Sequence, residues 1–131
     1  MFNNDSRFDF DLKYGQGVEC ELLKALQGPI EVKAERDIWL TTGNIAIEYE
    51  CRGHLSGIAV TEAKHWAQAL MIDGQPYCYL VWPIDVLKGI ARDYAKRKNI
   101  IMGGDDKCAK MVLLPLREVI VPNEKTKPHS A

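Results

Sequence analysis

The stretch PIEVKAERDIWLTTGNIAIEYEC, residues 29–51, decides how this chain is read. Two runs in it alternate in the manner of β-strands, whose successive side chains point to opposite faces. In IEVKAE, Ile30, Val32 and Ala34 oppose Glu31, Lys33 and Glu35; in NIAIEYEC, Ile45, Ile47, Tyr49 and Cys51 oppose Ala46, Glu48 and Glu50. Gly43-Asn44 supplies a turn signal between them, so a β-hairpin is expected with both charged sets on one face. Glu and Lys are poor strand formers. A face this rich in them is either solvated or holds something charged.

Working outward, GQGVECELLKALQG predicts a helix, because Val18, Leu22, Leu23 and Leu26 fall at helical spacing and Gly28-Pro29 stops it. Glu19 shares that partly apolar face and is expected to turn toward the sheet or its rim. Glu21 lies about 200° further round, so at most one of the two can face the hairpin. On the other side, Thr61 is a natural N-cap for a helix EAKHWAQALM with Ala63, Trp66, Ala67 and Leu70 buried. QPYCYLVWP then predicts a buried strand and IDVLKGIARDYAKRK an amphipathic helix ending in basic residues. MGGDDK reads as a turn, since it lacks the spacing of a phosphate-binding loop. CAKMVLLPLREVI predicts a last strand, which Pro115 places toward an edge. The expected order of helix, strand, strand, helix, strand, helix, strand describes an α/β domain: a mixed sheet flanked by helices.

The chain of 131 residues, 47% hydrophobic and 27% charged, suits one domain spanning 1–131, with flexible ends at 1–8 and 122–131. Its 17 basic and 18 acidic side chains give a net charge of -1, so no global field draws it to nucleic acid. Cys20, Cys51, Cys78 and Cys108 form no C-x-x-C pair, which argues against zinc and for buried free thiols. No secretory leader and no apolar run of the roughly 20 residues that span a bilayer is visible. A soluble, cytoplasmic protein without membrane contact is expected.

Hydrolysing a phosphodiester requires a water made nucleophilic and dispersal of charge on the phosphoryl oxygens, and Mg²⁺ supplies both. Magnesium takes hard oxygen ligands and keeps several waters, so two or three carboxylates with a substrate phosphate suffice. A neighbouring lysine can orient the water or offset transition-state charge. Glu19, Glu31, Lys33, Glu48 and Glu50 offer that set.

These residues resemble the PD-(D/E)xK nuclease superfamily, whose core is an acid-bearing helix followed by a hairpin with an acid and then an E-x-K or E-x-E triplet. GQGVECELLKAL is similar to the opening helix of archaeal-type Holliday junction resolvases. EVKAERDIWLTTGNIAIEYECRGHLSGI is similar to a stretch of small phage-encoded nucleases having E-V-K, T-G-N, I-E-x-E and an L-S-G-I loop. The detailed likeness covers roughly residues 9 to 70. It implies a restriction-endonuclease-like sheet and a catalytic set of Glu19, Glu31, Lys33, Glu48 and Glu50. Metal, Mg²⁺ with Mn²⁺ as a substitute, would sit on Glu19, Glu31, Glu48 and the backbone oxygen of Tyr49. Glu50 stands where the triplet usually ends in lysine. Either Lys33 serves from the neighbouring strand, or Glu31-Val32-Lys33 is itself the triplet and Glu48 is auxiliary.

The function implied is a metal-dependent DNA endonuclease selective for branched DNA, since no base-reading module is present. Lys13, Lys24, Arg52, Arg92, Lys96, Arg97 and Lys98 are the candidate phosphate contacts. Symmetric cutting of a junction implies a homodimer. RNA remains open as substrate, and so does a catalytically inactive nuclease-fold protein that binds nucleic acid or a host protein.

Overall fold

The computed structural model describes residues 6–104 and 106–121. The ends expected to be flexible lie outside the described residues, except that 6–8 begin the first helix. That helix, α1 (Ser6–Gln27), leads into β1 (Ile30–Glu35), a single helical turn α2 (Trp39–Thr42), β2 (Asn44–Cys51) and the two-residue β3 (His54–Leu55). A 3-10 turn (Gly57–Ala59) precedes β4 (His65–Ile72), β5 (Gln75–Pro83), α3 (Ile84–Lys96), β6 (Ile100–Gly103), β7 (Ala109–Pro115) and α4 (Leu116–Ile120). The described residues are mixed α/β, with two sheets.

In the first sheet, ordered β1-β4-β5, β1 runs parallel to β4 with Ile30 opposite His65 and Glu35 opposite Leu70. The second, ordered β3-β2-β7-β6, is antiparallel throughout. The expected hairpin of β1 with β2 is therefore not formed. Short hairpin loops reverse the chain at once, whereas residues 36–43 include a helical turn that carries it from one sheet to the other. Gly43 ends that turn with φ 71°, its N–H donating to the Trp39 carbonyl at 2.8 Å.

The segment expected as the helix EAKHWAQALM instead supplies all but the last residue of strand β4. Central in its sheet, β4 is covered on both faces, so Trp66, Ala67, Gln68, Ala69 and Leu70 are all buried. A strand buried on both sides reads as a continuous apolar run and loses the alternation that would reveal it. Thr61 does accept a hydrogen bond from the Ala63 N–H at 3.2 Å, but in a turn before the strand. β7 is also internal, between β2 and β6, with Pro115 as its last residue instead of an edge marker. β6 was not expected at all.

Both sheets and α3 share one core. Ile45 and Ile47 of β2, Trp66 and Leu70 of β4, Val112 and Leu114 of β7, and Leu87, Ile90 and Tyr94 of α3 form its cluster. The i, i+3, i+7 spacing of the α3 residues places them on one helix face. By contrast, α1 keeps its helical period but not its expected packing: Val18, Leu22 and Leu26 are at least half exposed, and among its described side chains only Ala25 is buried. At 1.5 Å rise per residue a helix of this length far outreaches the six-residue β1, and its buried residue, Ala25, lies in its last turn. No described helix is long and apolar enough to cross a membrane.

Candidate functional site

A groove of about 860 Å³ opens between the sheets, walled by β1 and β4 on one side and by β2 and β7 on the other. β1 turns Glu31, Lys33 and Glu35 into it, β2 contributes Ala46 and Glu48, β4 Trp66 and Gln68, and β7 Met111. Strand alternation is what delivers all three charged side chains of β1 to one wall. Although β1 and β2 are unpaired, their acids face a common space.

Glu35 ties the two walls together. Its Oε2 accepts the Ala46 N–H of β2 at 3.2 Å and the Gln68 side-chain amide of β4 at 2.7 Å. The Gln68 carbonyl oxygen in turn accepts the Trp66 indole N–H at 2.9 Å. Burial pushes the Glu35 carboxyl above its ordinary range, against the opposing pull of the Ala46 and Gln68 hydrogen bonds. Lys33 extends along the same wall with its ammonium 6.0 Å from the centre of the Trp66 ring, at the outer limit of a cation–π contact.

A β-bulge decides which acids of β2 enter. Glu48 is paired with Met111, but Glu50 is paired with the adjacent Lys110, so β2 carries an extra residue at Tyr49. The extra residue reverses the phase of the strand. Glu50 consequently leaves the groove and forms an ion pair with Lys110 at 3.0 Å. The Tyr49 ring packs against the core, and its carbonyl accepts the Ser56 N–H at 3.0 Å. Opposite the bulge, Gly57 seats the 3-10 turn directly on the Glu48 backbone: a Cβ on it would lie 2.1 Å from the Glu48 carbonyl oxygen.

The structure thus brings together Glu31, Lys33 and Glu48 of the sequence-predicted set and leaves three outside. Glu19 is exposed on α1 and does not line the groove. Glu50 and Tyr49 are committed elsewhere, as described. The candidate phosphate contacts also lie away from the groove lining. Arg52 is paired with Asp106 at 2.6 Å, Arg97 with Asp93 at 2.8 Å, and Lys24 approaches Glu21 at 3.9 Å. Arg97 also stacks on Tyr94, 4.7 Å from its ring centre. Arg92 borders a separate apolar pocket with Lys88 and Tyr49, while Lys13, Lys96 and Lys98 are exposed.

Sequence reasoning missed Glu35, Gln68, Arg36 and Glu62, all of which line the groove. Glu35 carried a usable signal, because it follows Glu31 and Lys33 at even spacing. Gln68 carried none while its segment was read as a helix. The four cysteines are free, but none is buried: Cys20 is exposed and the others are partly covered.

Among the described residues no three His, Cys, Asp or Glu side chains converge closely enough to hold a metal ion as they stand. The donor chemistry of the groove nevertheless suits a hard cation, with Glu31, Glu35 and Glu48 offering carboxylate oxygens and Gln68 an amide. Compared with known proteins, the chain matches no family model, no curated protein and no solved structure.

Proposed function

We propose that this chain is a metal-dependent DNA endonuclease of the PD-(D/E)xK type, working on branched DNA in the cytoplasm of a host cell. One observation supports the reading above the others: Glu31, Lys33 and Glu35 from one sheet and Glu48 from the other face a single groove. Glu31, Glu35 and Glu48 would hold Mg²⁺, which when bound supplies charge neutralisation and an activated water. Lys33 projects from the same wall, where its ammonium can donate to a phosphoryl oxygen and offset charge there. The Trp66–Gln68–Glu35 chain of hydrogen bonds fixes one carboxylate in orientation, as a hydrolytic site needs. A homodimer would supply the second active site for symmetric junction cutting.

A second reading is favoured by a specific feature. Glu35 Oε2 already accepts two hydrogen bonds within the fold, as a purely structural buried carboxylate would. Under it, the chain binds nucleic acid or a protein without turnover. Cleavage of labelled four-way junction, flap, duplex and single-stranded DNA, and of RNA, in Mg²⁺, Mn²⁺ or EDTA separates the two. The endonuclease gives metal-dependent products that Glu31→Ala and Glu48→Ala each reduce by roughly 100-fold or more. Failure of the folded protein to cut any of these substrates in either metal overturns the proposal. Nucleic-acid binding unchanged by the two substitutions would then identify the binding protein.

A further inference from the structure

A pair of thiols lies just outside the groove. Cys51, the last residue of β2, has its Sγ 3.4 Å from that of Cys108, in the turn leading into β7. The contact joins positions 57 residues apart in sequence. It is held by backbone pairing: Cys51 is opposite Ala109, and the Arg52 N–H donates to the Cys108 carbonyl at 3.3 Å. Both cysteines are partly exposed, so small reagents can reach them.

We infer that Cys51 and Cys108 form a redox-active dithiol that closes to an intramolecular disulfide by exchange with a small-molecule disulfide such as oxidised glutathione. Closing 3.4 Å to the roughly 2.0 Å of an S–S bond moves the sulfurs by about 1.4 Å, within the range of small side-chain rotations. The guanidinium of Arg52 lies beside the Cys108 sulfur. A cation there disfavours a second cation, and among the described residues no third His, Cys, Asp or Glu joins the pair to hold a metal.

The exchange balances in two steps. The Cys108 thiolate attacks one sulfur of oxidised glutathione, forming a mixed disulfide and releasing one glutathione thiolate. Cys51, its proton lost to solvent, then attacks the Cys108 sulfur and releases the second. Two protein thiols are oxidised, one glutathione disulfide is reduced, and the two thiol protons end on the released glutathiones. The two sulfurs form one hydrogen-bonded pair 3.4 Å apart, and the same balance holds with either as the first attacker.

The product would staple the end of the acid-bearing strand to the turn that follows β6, whose Gly104 borders the groove. This inference does not depend on the nuclease reading. Its test uses the full chain carrying Cys20→Ser and Cys78→Ser, incubated folded with oxidised glutathione. Intact mass should fall by two hydrogens, and alkylated tryptic peptides should show Cys51 linked to Cys108. The thermal midpoint of the oxidised form should exceed that of the reduced form by on the order of 10 °C, reversibly with dithiothreitol. Adding Cys51→Ser should abolish the link and leave glutathione on Cys108. A persistent glutathione adduct on the two-cysteine protein, a dimer linked between chains, or a link that forms only in denaturant would each overturn the inference.

Discussion

Gly57 and Gly43 both have positive φ, yet their replacement by alanine should have unequal consequences. For Gly43→Ala, φ is 71° and nothing lies within 4 Å of the new Cβ, so only the left-handed backbone is penalised, by about 1–2 kcal/mol. For Gly57→Ala, φ is 51° and the Cβ would sit 2.1 Å from the Glu48 carbonyl oxygen, well inside the 3.0 Å below which such contacts essentially never occur. The 3-10 turn and β2 would have to part by about 0.9 Å to reach even that limit. Forced overpacking of this kind adds about 1–3 kcal/mol to the backbone penalty. Gly57→Ala should therefore cost about 2–5 kcal/mol, a large share of the 5–15 kcal/mol typical of a whole domain. Urea unfolding of wild type and both variants measures the difference directly. If Gly57→Ala proves no more destabilising than Gly43→Ala, the close seating of the turn on Glu48 is wrong. On the proposed function, the folded fraction of Gly57→Ala should also cut more slowly, because the displaced backbone carries Glu48.

Two further predictions concern the acids. Since burial raises the Glu35 carboxyl, the folded chain binds that proton more readily than the unfolded chain. Stability linked to Glu35 is therefore greatest below the ordinary glutamate value of about 4.3 and declines as pH rises through the raised one. Glu35→Gln keeps an oxygen to accept from Ala46 and Gln68 without the charge, so its thermal midpoint should gain on wild type between acidic and neutral pH. Parallel pH profiles of the two proteins would refute this. Glu50→Gln should leave cleavage at the wild-type rate while Glu48→Gln abolishes it, because the bulge turns Glu50 toward Lys110. Equal losses in the two would place both acids at the reaction.

The sequence exposes some of this well, and the reasons are local. β1 and β2 are legible because apolar residues alternate with charged or small ones along each, although in β1 the apolar side is itself open at Val32 and Ala34, and α3 because its apolar residues repeat with the helical period. β4 was misread because burial on both faces erased its alternation, and Ala63, Trp66, Ala67 and Leu70 also satisfy helical spacing. Pairing partners were not legible. Gly43-Asn44 gives a turn signal, but it cannot show that the turn before it leads into a second sheet while β1 pairs with a strand 35 positions on, as Ile30 does with His65. For the candidate site, parity along a strand correctly placed Glu31, Lys33 and Glu35 on one face, though only the first two were taken into the catalytic set. The same parity failed between Glu48 and Glu50, where a bulge adds one residue and no residue type announces it. Glu19 failed for another reason: periodicity gives the face a residue occupies, not whether that face meets the body of the protein.

Glu35 is where the structural and functional readings make opposing demands. As the clamp between sheets, accepting from Ala46 and Gln68, it is better neutral, since a charge there is partly desolvated. As a ligand for a cation it must be charged, and a bound cation would compensate the burial that now raises its carboxyl. The two roles therefore predict opposite signs for one substitution under two conditions. Without divalent metal at neutral pH, Glu35→Gln should be the more stable protein. With saturating Mg²⁺, wild type should gain stability by mass action, because the ion binds the folded chain alone, while Glu35→Gln should gain less. Thermal midpoints of both proteins, with Mg²⁺ and with EDTA, decide the matter. A crossing of the order of stability identifies Glu35 as a metal ligand held in reserve as a clamp. An equal Mg²⁺ response in both proteins assigns it to the fold alone and leaves Glu31 and Glu48 to hold any ion in the groove.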